Sequence, residues 1–156
     1  MQWLRRTIAI GLLMVPGIPA VAADPGLETR ESRHGAPETV QRLAAAVRGA
    51  GWKVFAEIDH AAAAREVGLA LRPRSVLLFG NPAAGTGAMQ ARPTLAIDLP
   101  MRVLVWEDDS GRVFVTRSTG RDLSERVFGR HDQPFPAEAQ RNFDGFVGTL
   151  VAKAVE

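Results

Sequence analysis

The side chains of this chain that can do chemistry carry oxygen or nitrogen, because the sequence contains no cysteine. That excludes disulfides, thiolate metal sites, a thioredoxin-like redox pair and c-type haem attachment together. Asp59-His60 stands where an alternating run gives way to an alanine run. Asp59 there can cap a helix, and His60 has the ring chemistry of an acid/base group. Gly80-Asn81-Pro82-Ala83-Ala84-Gly85-Thr86 follows an apolar run with the glycine spacing of a phosphate-binding loop, but it has no lysine, and Pro82 removes one backbone donor. The expectation there is a strand-ending turn in which Asn81 bonds its own backbone, with a small anion on the amides near Gly85 and Thr86 as the chemical alternative.

His34, His60 and His131 share no ligand spacing, and Glu107-Asp108-Asp109 lacks the alternating oxygen ligands of a calcium loop, so neither a metal nor another cofactor is expected. No Gly-x-Ser-x-Gly elbow occurs. Trp52 and Trp106 fall on predicted strands and are expected to pack in the core or at an edge; facing outward together, they would line a ligand groove or a homodimer seam.

These residues must be positioned by elements that the patterning predicts. Leu27 to Ser32 can pair as a strand. Pro37 opens a helix in which Val40, Leu43, Ala44 and Val47 share one face, and Gly49 and Gly51 end it. Trp52 to Asp59 alternates as a half-buried strand, and Ala61 to Gly68 reads as a short helix whose small side chains allow close approach to a sheet. Ser75 to Phe79 is apolar without alternation, as in a strand covered on both sides or at the sheet centre. Pro82 to Leu99 reads as a loop with short helices around 88–91 and 94–97, and is the segment expected to carry a site. Met101 to Trp106 and Arg112 to Thr116 form a hairpin around a glycine-containing loop. A polar helix to about Phe128 and a final helix bearing Phe143, Phe146, Val147, Leu150, Val151 and Ala154 complete the chain. The expected fold is a two-layer α+β sandwich, with a mixed or antiparallel sheet and helices mainly on one face.

Arg5 and Arg6 precede an apolar run from Ile8 to Val15, and Val21-Ala22-Ala23 fits a signal peptidase site, so residues 1–23 are expected to be a cleavable secretory signal. The run is too short to span a bilayer, and the expected location is the periplasm with no stable membrane insertion after cleavage. The remaining 133 residues form a single domain. All of the 17 Asp and Glu lie after the cut, against 17 remaining cations, so the basic precursor gives no electrostatic warrant for nucleic-acid binding.

Phe55-Ala56-Glu57-Ile58-Asp59-His60, Leu78-Phe79-Gly80-Asn81-Pro82, Thr86, Met89-Gln90, and Asp98-Leu99-Pro100 leading into Val103-Leu104-Val105-Trp106-Glu107 together resemble the domain-of-unknown-function family 302. The resemblance runs from about Trp52 to Thr116 and implies a small α+β domain, without implying an activity. The chain departs from the family's pattern at Arg117-Ser118-Thr119 and has no tyrosine. The resemblance places Asn81 and Glu107 near His60, which defines an expected pocket between the Asp59-His60 corner, the 80–90 segment and Trp106-Glu107. Asp59, His60, Asn81, Thr86, Trp106 and Glu107 are its candidate ligand-binding residues, for a small anion or metabolite. The leading expectation is a non-catalytic ligand-binding or protein-interaction module. An enzyme using His60 with Glu107 and a structural homodimer, joined by an edge strand or the open sheet face, are the alternatives.

Overall fold

The computed structural model describes residues 26–156, so the expected secretory signal lies outside the described residues. Five strands, β1 (Leu27–Ser32), β2 (Lys53–Asp59), β3 (Arg74–Gly80), β4 (Met101–Glu107) and β5 (Val113–Ser118), form one sheet in the order β1-β5-β4-β3-β2. Every neighbouring pair is antiparallel. β1 and β2 are therefore opposite edges although they are consecutive in the chain, and helix α1 (Ala36–Gly49) connects them. Its 14 residues at about 1.5 Å each give about 21 Å, which matches four strand spacings of roughly 4.8 Å.

Strand alternation puts Leu77, Phe79, Val103, Val105, Val113 and Val115 on one face, all buried. Val40, Leu43 and Val47 of α1 cover them together with Val147, Leu150, Val151 and Ala154 of the last helix, α5 (Ala137–Val155). This is the expected α+β sandwich. The other face carries Val76, Leu78, Leu104, Trp106 and Phe114, half-buried by one another. β3 lies next to the central strand, so its unbroken apolar run reflects one face on the core and one face of mutually packed neighbours.

Two connections differ from the sequence expectation. Residues 82–91 form one continuous helix, α3 (Pro82–Ala91), followed by a 3-10 turn at Pro93–Ile97. Pro82 at its first turn and the Asn81 cap set the start early enough to carry Gly85 and Gly87 inside it. The expected polar helix is a composite: a single turn, α4 (Gly120–Asp122), runs into a π-helical stretch at Leu123–Phe128 and a 3-10 turn at Gly129–His131. Gly120 is required there, since a Cβ would lie 2.4 Å from the Gln140 carbonyl oxygen of α5.

Candidate ligand-binding cleft

The register separates the six candidate residues into two groups. Asp59 stands opposite Ser75, and Ser75 opposite Val105, so Asp59, His60, Trp106 and Glu107 gather at one end of the sheet. Lys53 stands opposite Gly80, and Phe79 opposite Met101, so Asn81 and Thr86 leave from the other end. Six residue steps at about 3.4 Å put roughly 20 Å between them. The three segments expected to share a pocket do not meet, because in an antiparallel pair the start of β3, not its end, adjoins the end of β2.

At the first end the carboxylate of Asp59 caps helix α2 (His60–Glu66), accepting from the Ala62 amide at 2.9 Å. His60 is exposed, with no side-chain hydrogen bond to Glu107 or Asn81. Glu107 is paired with Arg72 at 3.0 Å. Trp106 donates its indole N–H to Thr116 Oγ1 at 2.8 Å and stacks on Phe114 on the outer sheet face. Trp52 lies at the other end against the core, so the two tryptophans share no groove. The acidic hairpin tip is closed on itself: Asp108 accepts from the Ser110 hydroxyl and amide and from Arg112. Those bonds, the Ser110 hydroxyl foremost, lower its pKa from 3.8 to about 2. Among the described residues no group of three His, Asp or Glu is placed to hold a metal ion.

The second end holds a cleft of about 960 Å³. Its floor is aromatic and sulfur-bearing. Trp52 stacks on Phe146 with ring centroids 4.3 Å apart, and Met101 and Phe143 continue the surface. The irregularity in β2 between Val54 and Ala56 directs Phe55 to the same end, against Gly80. One wall is α3, through Gly85, Ala88 and Met89. The other is the π-helical stretch, which presents Leu123, Val127 and Phe128, the last stacked on Phe135 at 4.5 Å. π-helical turns recur at functional sites because the extra residue re-aims the side chains around it.

The 80–90 segment thus lines the cleft, but not through the atoms the sequence singled out. Asn81 Oδ1 accepts from the Ala83 amide at 3.0 Å, and the Gly85 amide donates to the Asn81 carbonyl. The amides considered for an anion are spent on starting α3. Thr86 is exposed and outside the cleft lining.

Sequence reasoning missed the polar clamp at the cleft's edge. The buried ring of His131 bonds Thr94 Oγ1 through Nδ1 at 2.9 Å and Asp98 Oδ2 through Nε2 at 2.7 Å. Arg130 binds the other oxygen of Asp98 at 3.3 Å. A neutral ring satisfies this by donating from Nε2 and accepting the Thr94 hydroxyl proton at Nδ1. Hydroxyl, imidazole and carboxylate in a row have the components of a nucleophile relay, but neither Thr94 nor His131 lines the cleft. The row fastens the segment after α3 to the turn before α5. His131 lies more than thirty positions from Thr94 and Asp98, and no spacing rule links them.

An antiparallel five-stranded sheet with helices on one face and an aromatic cleft at one end defines this chain as a small α+β domain. It belongs to the family described as Domain of unknown function DUF302, which matches residues 28–147, a wider span than the motifs from Trp52 to Thr116. The fold is similar to the crystal structure of an uncharacterized conserved DUF302 protein from Bacillus stearothermophilus, with a TM-score of 0.69 and 17% identity over 83% of this chain and 98% of that one. The chain is also 47% identical over 103 residues to proteins of Brucella suis and Brucella abortus named Fluoride-specific ion channel FluC 1. That match covers 66% of this chain but only 41% and 38% of the two relatives. Among the described residues here no helix is long and apolar enough to cross a membrane.

Proposed function

We propose that this chain is an exported, non-catalytic binding module whose cleft takes a small, largely apolar ligand. The observation that carries the reading is the cleft itself. Its volume of about 960 Å³ falls in the range of roughly 300–1,000 Å³ typical of small-molecule sites, and it combines stacked aromatics and methionines with a set of polar and charged side chains, as such sites do. Export rests on the leader pattern before Asp24. His60 lacks the second polar group that an acid/base role needs, and the Thr94-His131-Asp98 row is turned to structure, so nothing favours catalysis at either place.

A thermal-shift screen of apolar metabolites tests the reading, since a ligand that binds only the folded state raises its melting temperature. Hits are expected with the native protein and with His60→Ala, and are expected to vanish in Ala88→Trp, which fills the cleft from α3. Hits that survive Ala88→Trp would place binding elsewhere and refute the cleft.

A second reading rests on the Brucella relatives. A 103-residue match cannot fit within the 25 residues ahead of the described part, so what is shared falls mainly on this domain. On that reading the domain serves beside a membrane fluoride channel. Cells deprived of this chain would then grow less well in fluoride, and unchanged growth would dismiss the idea.

A further inference from the structure

The cleft is apolar at its floor and charged at its rim, and the rim charges do not balance. Building on the ligand-binding reading, we propose that the ligand is an amphiphile with one carboxylate, its body on the aromatic floor and its head on Arg102. Five ionised side chains line the cleft: Asp98, Arg102, Asp122, Arg126 and Arg130. Arg126 is held by Asp122 at 3.0 Å. Arg130 is held by Asp98 at 3.3 Å, and His131 takes the second oxygen of the same carboxylate. Arg102 has no carboxylate partner among the described residues; its one hydrogen bond runs to the Asp98 main-chain oxygen at 3.4 Å, near the limit for such a bond. One guanidinium is therefore left with most of its five donors open, and its planar fork fits a carboxylate with two parallel bonds.

The position of that cation follows from the strand. Neighbouring residues point to opposite faces, so Met101 turns inward to the floor while Arg102, next to it, stands at the outer lip of the same sheet end. A ligand folded over the end of β4 meets both. Polyanions fit poorly, because among the described residues that line the cleft one cation lacks a carboxylate partner, and the amides at the start of α3 are already bonded. Cations are disfavoured by the surplus positive charge.

The test compares decanoate with decanol, which share a body and differ in the head, by calorimetric titration below their aggregation limits. Decanoate should bind the native protein about ten-fold or more tightly than decanol, as a charge-assisted bond predicts. Arg102→Gln should erase that preference while leaving decanol binding unchanged. The variant should fold normally, since Arg102 is exposed and weakly bonded, and an unshifted melting temperature checks this. Equal affinities for the two probes in the native protein would overturn the anionic head and leave the cleft reading standing. A preference for decanoate that persists in Arg102→Gln would also overturn it. No binding of either probe would overturn both.

Discussion

Among the described residues Arg117 is the most buried charged side chain, and its surroundings predict which substitution hurts. It projects from β5 toward α5 with a side chain 5% exposed, pairing with Glu28 of β1 and, at 2.7 Å, with Asp144 of α5. Its Nε is buried without a partner. Asp144 also accepts the Gly120 amide at 2.9 Å, while both carboxylates remain about 40% exposed. Removing Asp144 and removing Arg117 are therefore unequal. Asp144→Ala deletes one charge-assisted bond, worth about 1.5–3 kcal/mol, and orphans a part-buried amide, worth about 1–3 kcal/mol. Solvent access to this site discounts that total to about 3 kcal/mol. For a domain of this size that lowers the melting temperature by about 10 °C. Arg117→Met removes the buried cation and its orphaned Nε, and the two carboxylates it leaves can hydrate where they stand. Its cost should stay below about 1.5 kcal/mol. Urea denaturation of both variants measures the difference. An Arg117→Met cost equal to or above that of Asp144→Ala would refute the reasoning, and would mean that the ion triad itself holds β1, β5 and α5 together.

Other expectations follow from single contacts. Gly120→Ala must push α4 away from Gln140, and should cost more than about 2 kcal/mol in a thermal or chemical melt, as overpacking does; a neutral result would mean that α4 shifts freely. The Asp108 turn contributes stability that is fully present above pH 3.8, the ordinary value, and is lost as pH falls through about 2; carboxyl NMR of the hairpin tip should show that low midpoint, and Ser110→Ala should raise it. His131→Ala severs the Thr94-Asp98 clamp, so amide exchange should quicken at Leu95, whose side chain is wholly buried, while β4 and β5 keep their protection.

Local rules carried most of the fold. The 3.6-residue stripe of α1, the alternation of β4 and β5 around Gly111, and the apolar face of α5 are each written in consecutive residues, and each formed as read. Asp59 and Asn81 both cap helices, the simplest use of such residues at a strand end. What was not legible depended on register. Whether Asn81 sits beside His60 or about 20 Å away turns on the direction of β3 relative to β2, and no local pattern encodes that. The cleft shares this difficulty. Trp52 just ahead of β2, Met89 on α3, Phe128 on the π-helical stretch and Phe146 on α5 come from four separate segments, and no local pattern brings them together. The π-helical stretch was hidden too, since Leu123 to Phe128 has the composition of an α-helix and no residue in it signals the altered pitch.

The proposed ligand site lies at the Asn81 end of the sheet, away from His60 and Trp106. The most direct test is to titrate isotope-labelled protein with decanoate and follow methyl and aromatic NMR shifts. The predicted result is movement at Met89, Met101, Val127 and Phe146, with His60, Trp106 and Phe114 unmoved. Shifts concentrated at His60 and Trp106, or spread over the outer sheet face, would contradict it.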